Sequence, residues 1–339
     1  MRRNQSILVS PFFTMDKSGQ VSMKKGKLLF IVNPKSGKAQ IKPHLLEILN
    51  IFTRAGYEVT THITQCQGDA KDVARDRGKE YDLLACSGGD GTLDEVVNGM
   101  MQGMFQIPVC YIPAGSTNDF AGSLGIPKNM ERAAYLAVKG KPFACDLGKF
   151  NGNIFVYVAA FGMFTEVSYD TDQSLKNVLG HAAYILKGVQ SLSTIKSYPM
   201  RFVYEDAEDG EKHVIEGKFI FGMITNSISV GGFKNITGKN VELNDGQFEV
   251  TLIRLPGSTQ ELNQMVTSLV ERNPRDEFIY WFKTAHLEVE AKEDIAWTLD
   301  GEFGGVHDKV TISDEKEAFV ILTPPDKKSD LLIDKKSDK

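Results

Sequence analysis

Gly88-Gly89-Asp90-Gly91-Thr92 sets a carboxylate and a hydroxyl among glycines, between the apolar run Tyr81 to Ser87 and the helix-forming run Leu93 to Gly99. Glycines let backbone N–H groups approach an anion with no Cβ in the way. A helix starting at such a turn adds the attraction of its positive end. Asp90 places a carboxylate where phosphate would repel it, and a divalent cation between the two resolves the conflict. The chemistry these residues suit is nucleotide-phosphate binding. The plainer alternative is a glycine-rich turn that caps a helix.

Two further loops follow apolar runs. Asn33-Pro34-Lys35-Ser36-Gly37-Lys38 lacks the spacing of a Walker A loop, and no GxGxxG fingerprint is present. Gly115-Ser116-Thr117-Asn118-Asp119 could cap a helix through Asn118 or Asp119. In a parallel sheet all three loops would lie beyond the carboxyl ends of the strands, where ligands bind. Asp300-Gly301-Glu302 and Asn244-Asp245-Gly246 read locally as hairpin turns. The six histidines show no HExxH spacing and no GxSxG elbow occurs, so neither zinc-protease nor serine-hydrolase chemistry has support.

The elements that must position these loops alternate in the α/β manner from Lys27. Strands are expected at Leu28–Val32, Glu58–Thr64, Asp82–Ser87 and Val109–Ile112, with helices over Lys42–Ala55, Asp69–Lys79, Leu93–Gly99 and Met130–Lys139. After Asp146 strands dominate: Phe155–Ala160, Met200–Glu205, Lys218–Thr225, Phe248–Arg254, His286–Ala291, Ala296–Leu299 and Val310–Ile312. The fold class is α/β, with an N-terminal Rossmann-like nucleotide domain and a C-terminal β-sandwich. Residues 1–26 read as an unstructured leader, with Met23 as an alternative start, and 326–339 as a charged, disordered tail.

The 339 residues are 42% hydrophobic and 24% charged, with a formal net charge of −5, an ordinary balance that gives no support to a nucleic-acid binder. Cys66, Cys86, Cys110 and Cys145 have no metal or CxxC spacing and suit a reducing cytoplasm, with Cys86 and Cys110 buried in strands. No apolar run approaches the ~18 residues of a membrane span.

Asn33-Pro34-x-Ser36-Gly37, the run Gly88 to Gly99, Pro113-x-Gly115-x-x-Asn118-Asp119-Phe120-Ala121 and Asp300-Gly301-Glu302 together resemble the diacylglycerol kinase catalytic family, most closely its soluble bacterial members. The likeness runs over roughly residues 27–323. Four ordered motifs are specific, whereas Gly-Gly-Asp-Gly alone is shared with NAD kinases and phosphofructokinases. The resemblance implies an α/β ATP-binding domain over 27–145, with the chain returning to it at about 313–325. It also implies a lipid-substrate β-sandwich over 146–312 and a cleft between the two. ATP would be surrounded by Asn33, Pro34, Lys35, Ser36, Gly37, Thr64, Gly89, Asp90, Gly91, Thr92, Leu93, Asp94, Glu95 and Ser116. Asp90, Asp119 and Asp146 would form a carboxylate–water network around a catalytic Mg2+. Asp245, with the carbonyls of Glu242 and Gln247, would hold a structural Mg2+. Asp300 or Glu302 would take the acceptor's hydroxyl proton, with Asp300 the first choice because its tight turn could project into the cleft. Asp94 stands where the family usually has asparagine and is expected to add negative charge near the phosphates.

The reaction so implied converts diacylglycerol and ATP to phosphatidic acid and ADP. Another lipid acceptor (phosphatidylglycerol or a sphingoid base), NAD as acceptor, and a non-catalytic lipid-binding regulator are the alternatives. The protein would be cytoplasmic and peripherally membrane-associated. Leu175, Leu179, Ala182, Leu186 and Val189 form a helical stripe, beside which Lys176 and Lys187, with Lys38 and Lys42, could meet an anionic membrane surface. A core-packing stripe is the plainer alternative. Edge strands of the β domain could support a homodimer.

Overall fold

The computed structural model describes residues 13–15, 21–23, 26–163, 195–230, 233–234, 241–271 and 278–325. Lys176, Lys187 and their helical stripe, the side chain of Lys38 and the tail from Asp326 lie outside the described residues. Within the segment expected to lack structure, β1 (Phe13–Met15) pairs antiparallel with β2 (Val21–Met23). Phe-Thr-Met and Val-Ser-Met alternate apolar and polar side chains, the period a strand pair uses.

The first layer is parallel. Leu28 to Val32 are all buried, as an apolar run covered on both faces must be. They belong to β3 (Lys27–Val32), which leads through α1 (Leu45–Arg54) to β4 (Glu58–Ile63). Then follow α2 (Asp69–Arg77), β5 (Leu83–Gly88), α3 (Asp90–Gln102) and β6 (Val109–Pro113). The sheet order is β4-β3-β5-β6. The helix α3 already begins at Asp90, so Asp90-Gly91-Thr92 form its first turn and only Gly89 links strand to helix. Three short helices, α4 (Asp119–Ser123), α5 (Met130–Ala134) and α6 (Leu136–Lys139), precede a strand that local reading missed, β7 (Lys141–Phe150).

The strand expected over Phe155–Ala160 is two, β8 (Asn153–Phe155) and β9 (Val158–Gly162), with a break at Val156-Tyr157. Next come β10 (Tyr198–Glu205), β11 (Lys212–Thr225), the small pair β12 (Ser229–Val230) and β13 (Phe233–Lys234), and β14 (Phe248–Arg254). A helix, α7 (Thr259–Glu271), leads to β15 (Ile279–Thr284), β16 (His286–Leu299) and β17 (Glu302–Thr323). The 14-residue strands β11 and β16 each pair with β10 along one part and with β9 along another. Register shifts bend both of them. The bent strands wrap an aromatic core in which Trp297 meets Phe150 at 5.0 Å and Phe161 at 4.8 Å between ring centroids.

One strand joins the two parts. The start of β17 pairs with β16, while its end pairs with β7 and runs parallel to β6 through Ile321 and Val109. The parallel layer and the β-rich part thus belong to one 13-stranded sheet.

Candidate active site

Three loops meet at the carboxyl ends of the parallel strands. A Cβ on Gly37, whose φ is +53°, would stand 1.9 Å from the Ala114 carbonyl oxygen, and one on Gly115 would stand 2.5 Å from the Gly89 Cα. Only glycine permits that approach. Side chains then tie the loops together. Asn33 Nδ2 donates to Thr92 Oγ1 at 3.1 Å, and Asn33 Oδ1 accepts from the Lys35 N–H at 3.0 Å. Asn118, in the left-handed region, closes its own loop onto Gly115 with bonds of 2.9 and 2.8 Å.

A cavity of about 700 Å³ opens beyond these loops. Asn33, Lys35, Ser36, Thr64, Gly89, Gly91, Thr92, Asp94 and Glu95 line it on one side, and Leu299, Glu302 and Phe303 on the other. No side chain caps the start of α3; the Thr92 N–H donates to the Gly89 carbonyl at 3.0 Å, which leaves the N–H groups of Asp90 and Gly91 as the first-turn donors for a ligand. Most of the expected ATP-contacting residues are therefore gathered. Pro34, Gly37, Asp90, Leu93 and Ser116 are not among the lining residues. Leu93 is fully buried and packs into the core, and Ser116 is exposed away from the lining. Glu95 reaches the wall, but its two oxygens accept the N–H groups of Gly68 and Ala70 at 2.9 and 3.1 Å, capping α2.

Asp90 turns out of the cavity. Its carboxylate accepts the Asp119 N–H at 2.9 Å and the Phe120 N–H at 3.3 Å, so it caps α4 from a neighbouring element. Asp119 is thereby joined to Asp90 through its backbone, while neither Asn118 nor Asp119 does the capping that local reading allowed. Burial pushes the Asp90 carboxyl up to about 7, the Asp119 and Asp300 charges add to this, and the two N–H groups oppose it. A buried carboxyl so raised marks a place short of positive charge, which suits a cation arriving with a nucleotide.

Asp146 does not join them. It is fully buried, and its oxygens accept from Gly246 N–H at 2.7 Å and Glu317 N–H at 2.6 Å, which fastens the Asp245 turn to β17. The Asp245 carboxylate is held by Lys283 Nζ at 3.1 Å and by the Gln247 N–H at 3.1 Å, and the same ammonium lies 3.0 Å from Glu249. A divalent ion bound at Asp245, Glu242 and Gln247 would have to displace that lysine. Among the described residues, no three His, Cys, Asp or Glu side chains converge as metal ligands.

The Asp300-Gly301 turn has φ of +51° and +89°, the tight hairpin expected of that dipeptide. Asp300 does not project into the cleft. It is 5% exposed, and its carboxylate accepts the N–H groups of Val156, Tyr157 and Val158 at 2.5, 2.9 and 2.9 Å. Those bonds account for the break between β8 and β9, since N–H groups turned to a carboxylate cannot serve a ladder. Burial raises the Asp300 carboxyl, opposed by a hydrogen bond with Asp94 and by the three N–H groups. Glu302 lies at the cavity wall, where its Oε2 accepts from Gln67 Nε2 at 3.0 Å across the cleft. Lys71, Phe303, Tyr111 and Tyr157 also belong to the surroundings and were missed. Lys71 sits in a plainly helical run, and nothing local to it points at a ligand.

Known proteins resemble this chain over nearly its whole length. The profile described as diacylglycerol kinase catalytic domain matches residues 27–150. The diacylglycerol kinase of Bacillus subtilis (strain 168) is 35% identical over 286 residues, 84% of this chain and 91% of that protein. The diacylglycerol kinase of Staphylococcus saprophyticus is 31% identical over 307 residues, 90% of this chain and 97% of that one. A crystal structure of a diacylglycerol kinase from Bacillus anthracis str. Sterne superposes with a TM-score of 0.69 at 25% identity, covering 89% of this chain and 98% of that one.

Proposed function

The chain belongs to the diacylglycerol kinase family, and from that premise we propose that it transfers the γ-phosphoryl group of ATP to the free hydroxyl of diacylglycerol. The observation that carries the proposal is one cavity with the Asn33–Ser36 and Gly89–Thr92 loops on one wall and the Glu302 carboxylate on the other. The uncapped N–H groups of α3 and the Asn33–Gly37 loop bind and orient the β- and γ-phosphates. Lys35 and Lys71 line the same cavity and bring positive charge to it. Asp90 and Asp119 would hold a magnesium ion arriving with the nucleotide, which would supply positive charge to offset that of the transferring phosphoryl group.

Glu302 is the proton acceptor in this reading, because a base must reach its proton and Asp300 is already enclosed by donors. The hydroxyl proton passes to Glu302, the acceptor oxygen bonds to phosphorus, and the bond from phosphorus to the bridging oxygen breaks to leave ADP. Asp300 holds the hairpin that presents Glu302. The acceptor is a membrane lipid, so the protein works at a membrane surface. Among the described residues no helix is long and apolar enough to cross one.

Labelled ATP offered with magnesium to diacylglycerol, phosphatidylglycerol, a sphingoid base and NAD in separate mixed-micelle assays tests the acceptor. Labelled phosphatidic acid as the dominant product supports the proposal. Preferential labelling of another acceptor would replace the substrate.

A further inference from the structure

We propose that Gln67 is a positioning residue: its side-chain amide spans the cleft and sets the Glu302 carboxylate against the phosphate wall. The contact is direct, since Gln67 Nε2 donates to Glu302 Oε2 at 3.0 Å. The two residues lie 235 positions apart in sequence and line one cavity from its two sides. Gln67 belongs to the link between β4 and α2 in the parallel layer, while Glu302 begins β17. A carboxylate only accepts, so the contact also fixes which end of the Gln67 amide faces it.

Both ends of the bridge are anchored through the backbone. Behind Glu302, the Asp300 carboxylate takes the N–H groups of Val156, Tyr157 and Val158, which fastens the hairpin. On the other side, the chain is pinned before and after Gln67. The Gln65 N–H donates to Asp69 Oδ2 at 2.7 Å, and the Gly68 N–H donates to Glu95 Oε1 at 2.9 Å. Gly68 takes a φ of +84°, which glycine adopts without strain, and so turns the chain from Gln67 into α2. Glu95 lies on α3, the helix whose first turn meets the phosphates in the proposed reaction. The path from Glu302 through Gln67 and Gly68 to Glu95 therefore ties the proton acceptor to the phosphate wall.

A glutamate held only at its root does not place a base. Its side chain turns about several bonds, and Glu302 faces an open cavity that leaves those rotamers room. The proton it takes must come within about 3 Å, and a misplacement of about 1 Å is enough to slow a reaction severely. The Gln67 amide holds one oxygen of the carboxylate and leaves the other to receive the proton. Both partners are exposed, so the bond adds little to stability and acts through geometry. The positioning role rests on reading Glu302 as the proton acceptor, while the bridge itself does not.

A double-mutant cycle in kcat tests the role, with Gln67→Met made in the parent and in Glu302→Ala. Methionine keeps the length of glutamine but has no donor. Gln67→Met in the parent should lower kcat by about tenfold at an unchanged melting temperature. Gln67→Lys, which restores a donor, should recover most of that loss. In Glu302→Ala no base remains to be placed, so adding Gln67→Met should change kcat by less than about twofold. Equal losses in the two backgrounds would overturn the role. So would a Gln67→Met protein as fast as the parent or faster, the behaviour of a latch that the acceptor must open. The bridge is read without turnover from the NMR resonance of the Gln67 side-chain amide, assigned by its absence from Gln67→Met. That resonance should shift in Glu302→Ala. An unmoved resonance would overturn the bridge and leave the kinase reading standing. A shifted resonance in a parent that phosphorylates no lipid would reject the kinase reading and the positioning role with it.

Discussion

Glu302 and Asp300 lie two residues apart on one hairpin, yet their surroundings give them different work. Glu302 faces a cavity, whereas Asp300 faces three N–H groups and a carboxyl. Glu302→Gln should lower kcat by about 10²- to 10⁴-fold, the range for losing a positioned general base, while leaving the melting temperature nearly unchanged. Asp300→Ala should act first on stability. It strands buried N–H groups at about 1–3 kcal/mol each, so urea titration should show a loss of several kcal/mol. An Asp300→Ala protein as stable as the parent but inactive would return the base role to Asp300. The sequence made both carboxylates visible, because Asp-Gly is a strong hairpin signal. It could not say which one faces the cavity, since that depends on Leu299 pairing with Glu302 and on a distant strand break meeting Asp300.

At the scale of elements, glycines at loop crossings set the phosphate wall. Gly37→Ala puts a methyl group against the Ala114 carbonyl at a φ of +53°, so either the first loop or the third must move. The KM for ATP should rise by about tenfold, with a loss of about 1 kcal/mol or more in stability. Unchanged ATP affinity would detach that loop crossing from nucleotide binding. The parallel strands were legible because strands covered on both faces are unbroken apolar runs. Other elements were hidden by competing interactions. His286–Ala291 and Ala296–Leu299 are one strand, since the polar Lys292-Glu293-Asp294 between them sits at a register shift rather than in a turn. The strand expected at Val310–Ile312 is the middle of the 22-residue β17. The long reach of β17 depends on β16 at its start and then on β7 and β6, which lie far from it in sequence.

For the whole molecule, β17 is the seam. Phe319 near its end is fully buried and stacks on Phe120 at 6.2 Å, one residue after Asp119 in the third loop. Phe319→Ala should cost about 3–5 kcal/mol and loosen the loop that Asp90 caps, so ATP binding and thermal stability should fall together. Retained ATP affinity in a destabilised Phe319→Ala protein would separate the seam from the site. The two-part architecture was readable from the change of texture after Asp146. The chain's crossing through a single sheet was not, because β7 runs unbroken from Lys141 to Phe150 through that point.

The most direct test of the account is transfer of labelled phosphate from ATP to diacylglycerol with magnesium by the parent beside Glu302→Gln, at matched fold stability and saturating ATP. The account predicts labelled phosphatidic acid from the parent and at most about a hundredth of that rate from the variant. Equal rates from the two proteins would contradict the role given to Glu302, and no phosphatidic acid from a parent that binds ATP would contradict the kinase reading itself.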